Sequence, residues 1–409
     1  MSQTLNPNRD CAVCGSTSKR LLHRSEFSTM SKGSLLSGYA VVTCKDCGFC
    51  FADEIPGQVV FDAYYENMSK YEHQERSGHE SEYDRAKFQQ VFANIRPFLR
   101  EPQCRVLEIG CANGVLLALL KQNGFSNLLG VDPSPVSASI ARDLHDIRVV
   151  TANLSNMPLA GQLFDFIILA GVLEHVQELR PALVRLNNLL APAGYLYIAV
   201  PDASRYTDGE DAPFQEFSTE HINYFGPKSL ENLLMTQGFT LQHCEQKLLR
   251  VGHRTKTAVI HAIFQKAPTD TLLPSTVPDY ETAAGLAAYI AASQQVDAHI
   301  RSTIDALATS RQPIIVWGTG AHTSRLLASS RLKEAVVTAL VDSNPIYQGK
   351  QLHGIRILAP IDLRGHTEPI LISSRAYQED IARQVRDDLK LPNRLIRLYQ
   401  LDVPREVPP

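Results

Sequence analysis

What this sequence has little of narrows it first. The 40 basic and 43 acidic residues leave a net charge of −3, so no broad positive field is available to track a phosphate backbone. A nucleic-acid partner is therefore not expected. No apolar run approaches the roughly 18–20 residues that cross a bilayer, so no membrane span is expected. The first ten residues are polar and lack the hydrophobic stretch of a secretion signal. There is no short-period repeat and no low-complexity tail. These absences lead to the expectation of a soluble, cytoplasmic protein. The composition itself, 44% apolar and 20% charged over 409 residues, is that of a folded chain too long for one ordinary core, and it calls for two or three domains.

Cysteine is present but clustered. Of eight cysteines, Cys11, Cys14, Cys44, Cys47 and Cys50 crowd the start of the chain. A secreted disulfide scaffold would distribute them through a small domain; clustering in a reducing compartment points to metal. Cys11-x-x-Cys14-Gly and Cys44-x-x-Cys47-Gly are two knuckles in which both sulfurs can face one ion while the following glycine makes the turn. Four thiolates fill a tetrahedral zinc site and leave no open coordination position, so the zinc is expected to be structural. Cys50 continues the spacing but is expected to be a buried neighbour and not a ligand.

Beyond residue 105, short apolar runs alternate with helical patterns, which predicts a parallel sheet covered by helices. Strands are expected at 105–109, 127–131, 148–151, 164–170 and 194–200, with helices at 80–99 and 115–122. The first strand, Val106-Leu-Glu-Ile, runs into Gly110-Cys111-Ala-Asn113-Gly114, where glycines let a ligand approach the backbone at the carboxyl edge. Glu108 at the strand end would repel a phosphate. Asp132, which ends the next strand, suits two ribose hydroxyls. An acidic, phosphate-free nucleoside site fits S-adenosylmethionine better than NAD.

With Leu107-Glu-Ile-Gly-Cys-Ala-Asn-Gly114, Asp132, the 153–158 segment and Leu169-Ala-Gly-Val-Leu-Glu-His175 in register, residues 105–200 resemble the class I S-adenosylmethionine-dependent methyltransferases. The resemblance implies that Glu108, Gly110, Cys111, Asn113 and Gly114 line the methionine side and that Asp132 holds the ribose. It also implies that Asn153 and Leu154 lie beside the adenine, with Ala170 and His175 near the closing strand. Asn153 stands where the family often has an acidic residue.

The segment Phe214-Gln-Glu-Phe-Ser-Thr-Glu220-His221-Ile-Asn223-Tyr224-Phe225 follows the last of these strands, near the edge where a parallel sheet exposes its ligand. A histidine is the natural base near neutral pH, and a neighbouring carboxylate can orient it. A cysteine-rich module, a methyltransferase core with Glu-His-x-x-Tyr-Phe, and a C-terminal nucleotide-type fold together resemble the sugar C-methyltransferase family over nearly the whole chain. That resemblance implies methylation of a nucleotide-linked keto-deoxysugar at the carbon beside its carbonyl, through an enolate. His221 would be the base, Glu220 its partner and Tyr71 a substrate-side hydroxyl, while Asn223 and Tyr224 would shape the sugar pocket; Tyr224 is also a catalytic candidate, and Tyr65 is a further candidate to bind the substrate. Ser218 departs from the family pattern, which often has tyrosine two positions before the Glu-His pair. O-methylation of a sugar, a polysaccharide end or a small secondary metabolite is the alternative; a non-catalytic sugar-nucleotide scaffold is a further one.

A Pro/Thr-containing stretch at 267–278 precedes a long alanine-rich helix at about 280–310. Then Ile314-Ile-Val-Trp317-Gly318-Thr-Gly320-Ala-His322 repeats the strand, glycine turn and helix start. Strands are also expected at 339–342 and 368–373. Gly318, Gly320, His322 and Lys350 are candidates to receive a diphosphate. The expected class is α/β throughout: a zinc module at 1–55, a methyltransferase domain at 56–266, a linker and long helix at 267–311, and a second Rossmann-like domain at 312–409.

Overall fold

The computed structural model describes residues 9–30, 35–67, 82–252, 255–268 and 275–399. The described residues fall into two compact units. The first takes those within Met1–Ser25, Gly38–Glu210 and Glu216–Ile290; the second takes those within Glu26–Ser37, Asp211–Gln215 and Ala291–Pro409. Among them no helix is long and apolar enough to cross a membrane.

The first unit opens with strands β1 (Lys19–Glu26), β2 (Gly38–Cys44) and β3 (Cys50–Asp53), then helices α1 (Gln58–Asn67) and α2 (Glu82–Ile95). It continues with β4 (Val106–Ile109), α3 (Val115–Gln122), β5 (Leu128–Asp132), α4 (Pro135–His145), β6 (Val149–Thr151), β7 (Phe164–Ala170) and α5 (Leu179–Leu189). β8 (Leu190–Pro201), β9 (Asn223–Tyr224), α6 (Pro227–Met235), β10 (Phe239–Gly252) and β11 (Thr255–Lys266) complete its sheets. Seven strands form one sheet in the order β10-β11-β8-β7-β4-β5-β6. β4 pairs in parallel with β5 and β7, while β11 runs antiparallel to both β8 and β10.

All four residues of β4 are buried, the mark of a strand covered on both faces. On one face Leu107, Ile109 and Val131 pack with Leu183 and Leu186 of α5 and Leu233 of α6. On the other, Val106, Ile168 and Tyr197 meet Val91 and Ile95 of α2 and Leu116 and Leu120 of α3. α4 begins where Ser134 Oγ accepts from Ser137 N at 3.1 Å and Pro135 takes the first helical position, the preferred chemistry for a helix start.

A second sheet, β1-β2-β3-β9, reaches far along the chain. Cys50 pairs with Tyr224 and Phe51 with Asn223, antiparallel. The cysteine-bearing segment shares a core with the large sheet, since Cys11, Val13, Phe49 and Phe51 belong to the same apolar cluster as Leu183 and Leu233.

The second unit holds most of α7 (Glu281–Ser310), followed by β12 (Ile314–Trp317), α8 (Ala321–Ser329), β13 (Val337–Val341), β14 (Gln351–Leu352), β15 (Ile355–Leu358), β16 (Ile370–Ile372), α9 (Gln378–Arg383) and β17 (Leu395–Arg397). Its sheet runs β14-β15-β13-β12-β16-β17 and is parallel except for the β14–β15 pair. Ile300 and Ile304 of α7 cover one face over Val316 and Leu340; Ile381 of α9 and Val385 cover the other, over Trp317 and Ile372.

Candidate active site and thiol cluster

The two cysteine knuckles fold as matched turns: Gly15 N donates to Cys11 O at 2.8 Å and Gly48 N to Cys44 O at 3.0 Å. Gly48 has φ 81°, and a Cβ there would sit 1.9 Å from the Asp279 carbonyl oxygen, so only glycine closes the second knuckle. The knuckles bring Cys11 Sγ to 3.4 Å from Cys47 Sγ, and Cys14 Sγ to 3.5 Å from Cys44 Sγ. All four sulfurs lie within 4.8 Å of one another. Zinc–thiolate bonds of about 2.3 Å set tetrahedral edges of about 3.8 Å, so the four sulfurs fit one zinc ion with little adjustment. Cys50 stands outside the set, fully buried, with its thiol on the Gly48 carbonyl at 3.3 Å and its pKa pushed up to about 12 by burial.

This cluster is tied to the segment that carries Glu220 and His221. Arg9, two residues before Cys11, is 6% exposed. Its guanidinium donates to the carbonyls of Ala52, Ile222 and Gln177 and to Asn223 Oδ1, while its backbone N–H donates to Asp53 Oδ1. Burial lowers the Arg9 pKa to about 10, against the pull of Asp53, so the group stays charged at neutral pH. Asn223 is 2% exposed and donates to the Leu173 and Val176 carbonyls at 2.9 and 2.7 Å. Its side chain therefore clamps the turn carrying His175. Tyr224 is fully buried, with its hydroxyl donating to Tyr39 Oη at 3.1 Å and its pKa raised well above the ordinary phenol value by burial.

At the carboxyl edge of the large sheet, Gly110 adopts φ 72° beneath Val172, where a Cβ would approach Cγ2 to 2.8 Å. Gly114 caps α3. Asp132 Oδ2 accepts from Ala112 N at 2.8 Å and Oδ1 from Ser134 N at 2.9 Å, which joins the glycine turn to the end of β5. Glu108 is 3% exposed, and its Oε2 has no hydrogen-bond partner among the described residues. Burial, then the charge of Asp132, holds its carboxyl well above the usual range. Burial likewise pushes up the Cys111 thiol, beneath the same turn. A buried acceptor of this kind suits a cationic ligand group, so the set fits the ammonium and ribose of S-adenosylmethionine. Asn113 and Leu154 are buried at 8% and 9% exposure, and Ala170 ends β7. Asn153 Oδ1 accepts from Ser155 N and Asn156 N, at 3.0 and 3.1 Å. Its side-chain oxygen thus builds the turn after β6.

The facing side is built by α1, the turn after β7 and the 214–225 segment. Tyr64 donates to Glu220 Oε1 at 2.9 Å. Tyr65 Oη and the Glu220 carbonyl lie 3.1 and 3.0 Å from His175 Nδ1. His175 and His221 meet edge to face, ring centroids 5.1 Å apart, and His221 Nδ1 is 3.9 Å from Glu216 Oε2. Ser218 shapes this segment: its Oγ accepts from Glu220 N at 3.3 Å and His221 N at 3.2 Å, a local turn that favours serine. Asp62 of α1 accepts from Ser155 Oγ at 2.7 Å, and Gln58 accepts from the amides of Gln177 and Glu178. Tyr71 lies outside the described residues.

Glu220, His221, Tyr65 and His175 are thus brought together, with Asn223 and Tyr224 packed behind them. Tyr64, Glu174, Glu216 and Ser218 are the residues that sequence reasoning did not single out as site residues. Tyr64 sits beside Tyr65, and Glu174 lies within the Leu169–His175 motif; these are the available signals. In the second unit Gly318, with φ 109°, ends β12, and Gly320 begins α8. Asp342 accepts from Thr319 N and Oγ1 at 2.9 and 2.6 Å. His322 is 6% exposed, bonded to Tyr399 Oη at 2.8 Å, and lowered to about 3 by burial and then Arg325. Lys350 stands before β14 in the turn whose Gly349 N–H donates to Ile357 O.

Residues 81–244 match the family model described as a methyltransferase domain, and residues 310–396 match one described as C2185-like, N-terminal. The chain therefore carries a class I, S-adenosylmethionine-dependent methyltransferase domain. It is similar to a probable S-adenosylmethionine-dependent methyltransferase of Mycobacterium tuberculosis, 26% identical over 34% of this chain and 50% of that protein. A ubiquinone biosynthesis O-methyltransferase of Rhizobium rhizogenes is 34% identical over 23% of this chain and 40% of its own length. The chain thus spans half or less of these curated relatives. Among solved structures, the N-methyltransferase NodS from Bradyrhizobium japonicum in complex with S-adenosyl-L-homocysteine matches with a TM-score of 0.37 and 18% identity, over 51% of this chain and 97% of that one.

Proposed function

We propose that this protein transfers a methyl group from S-adenosylmethionine to a carbohydrate acceptor, and that the acceptor is a nucleotide-linked keto-deoxysugar methylated on carbon. The observation that carries the reading is the assembly of His221, Glu220, His175 and two tyrosines at the carboxyl edge of a methyltransferase sheet. Bound at Glu108, the 110–114 turn and Asp132, S-adenosylmethionine would supply an activated methyl group on a positively charged sulfur. His221, partly exposed at 26%, removes the proton beside the acceptor carbonyl. Glu220, fixed by Tyr64, orients the acceptor or takes the proton onward. Transfer to carbon needs the enolate that this base creates, and in-line alignment then governs the rate.

The thiol set is read as a structural zinc site, the described part of residues 1–55 as its module, and the second unit as a Rossmann-like domain in which Gly318, Gly320, His322 and Lys350 are candidates to receive a diphosphate. Methyl transfer to a hydroxyl is the second reading, favoured by the likeness to a ubiquinone biosynthesis O-methyltransferase. Solvent deuterium decides between them. Incubation with keto-sugars in heavy water should place deuterium beside the carbonyl in the native protein, and His221→Gln should lower both exchange and turnover by about 10²–10⁴. Methylated product without exchange in any keto-sugar, from a His221→Gln variant of normal rate, would defeat the enolate route.

A further inference from the structure

The turn after β7 and the 214–225 segment bring a second donor set together besides the four thiols. Glu174, His175 and His221 each offer a ligand atom within 4.8 Å of the other two. Their side chains are 5%, 19% and 26% exposed, so the set is anchored inside and open on the histidine side. With the Glu220 carbonyl as acceptor, His175 Nδ1 carries the ring proton, which leaves a lone pair on Nε2. Nε2 is the atom facing Glu174, 3.8 Å from its Oε1. A metal-binding histidine typically has its other nitrogen held by a carbonyl or carboxylate, as the Glu220 carbonyl holds His175; Glu216 Oε2 lies 3.9 Å from His221 Nδ1. Glu216 is itself held by Thr257 Oγ1 at 3.2 Å.

We infer that Glu174, His175 and His221 form a second metal site, one that takes a divalent first-row transition cation and leaves positions open for an acceptor oxygen. Two imidazoles and one carboxylate are a borderline donor set, suited to zinc, manganese, iron(II) or cobalt(II) more than to magnesium or calcium. Bond lengths of about 2.0–2.2 Å require the three groups to close by about 1 Å, which rotation of partly exposed imidazoles supplies. The inference rests on the methyl-transfer reading for what the cation would hold: the carbonyl or hydroxyl oxygen of the acceptor. The base of that reading is thereby replaced: with the cation bound, His221 would be a ligand and the Glu220 carboxylate would accept the acceptor's proton in its place. The electron pair left behind is carried to the oxygen held at the cation.

The full chain, purified with zinc on its thiols, is titrated with cobalt(II) chloride while metal content and visible absorption are followed. Cobalt on thiolates gives intense charge-transfer bands, whereas a nitrogen and oxygen site gives weak ones. The native protein is expected to take one equivalent with weak bands beyond the thiol-bound metal. His175→Gln and His221→Gln should lose that equivalent, and Glu174→Gln should lose it wherever it folds, as judged by S-adenosylmethionine calorimetry. No equivalent beyond the thiol set, or its retention in both histidine variants, overturns the inference. Methyl transfer that proceeds without the second equivalent defeats this site alone; a second equivalent in a protein that methylates no acceptor defeats the methyl-transfer reading alone.

Discussion

Glu108 carries the clearest single-residue consequence. A carboxyl sealed from water, beside Asp132 and with one oxygen unpartnered, holds its proton to a higher pH than a free glutamate. On the proposed placement, a cationic ammonium against Glu108 favours the carboxylate, and binding S-adenosylmethionine should expel the proton. The sign follows directly: affinity rises with pH as Glu108 gives up the proton that its raised pKa retains, up to the range near about pH 8 where the ligand's own α-ammonium begins to deprotonate. Calorimetry in two buffers of different ionisation enthalpy should register this proton release. Glu108→Gln should show neither release nor pH dependence and should bind about 10–100-fold more weakly. A wild-type affinity that falls as pH rises toward about 8 would place the ammonium elsewhere.

Ser218 belongs to the same scale. Its Oγ accepts two amides at the base of the Glu220–His221 pair. Ser218→Ala should cost roughly 1 kcal/mol of stability and, on the proposed function, lower kcat more than KM, because the proposed catalytic pair loses its fixed turn while the 110–114 turn is untouched. Equal effects on kcat and on S-adenosylmethionine affinity would contradict that separation.

Among elements, the two-residue strand β9 has the largest leverage. It hydrogen-bonds to β3, which follows the second cysteine knuckle, and it begins two residues after His221. The thiol cluster, Arg9 and the β3–β9 pairing therefore form one mechanical line to His221, the residue proposed above for proton transfer or metal binding. Cys44→Ser should release zinc, measured by atomic absorption, and should abolish methyl transfer while S-adenosylmethionine still binds, because the glycine turn lies on another sheet. Loss of both together would show that the thiols support the whole unit. This line also marks how far the sequence could be read. The strands at 106–109, 128–132, 149–151 and 164–170 are local apolar runs between turns, and the cysteine knuckles are local spacing; both were legible. The pairing of Cys50 with Tyr224 depends on residues far apart in the chain and leaves no periodicity, and the β10–β11 hairpin, half-exposed, was not recognised. Asn223 and Asn153 were assigned toward ligands by position. Only the fold reveals that Asn223 clamps the 173–176 turn and that Asn153 Oδ1 closes the 153–156 turn.

For the molecule as a whole, acid is the informative stress, since each compact unit contains a histidine kept neutral by burial. His261 in the first is lowered to about 4 and hydrogen-bonded to Tyr197 at 2.6 Å; His322 in the second is lowered to about 3. Both titrate near 6.5 when unfolded. Their contribution to stability is complete above that value and is lost progressively as pH falls toward each folded pKa, on the order of 3 kcal/mol for each. Trp317 is the sole tryptophan and is buried at the end of β12, within the second unit's sheet, so its fluorescence reports on that unit. Denaturant midpoints followed by Trp317 should drop between about pH 7 and about pH 4. His322→Asn, though less stable overall, should show a shallower drop there, while His261→Asn should leave the Trp317 slope unchanged. An equal slope in wild type and His322→Asn would assign the acid sensitivity of the second unit to its carboxylates, above all to Asp297, which the guanidiniums of Arg325 and Arg301 hold ionised.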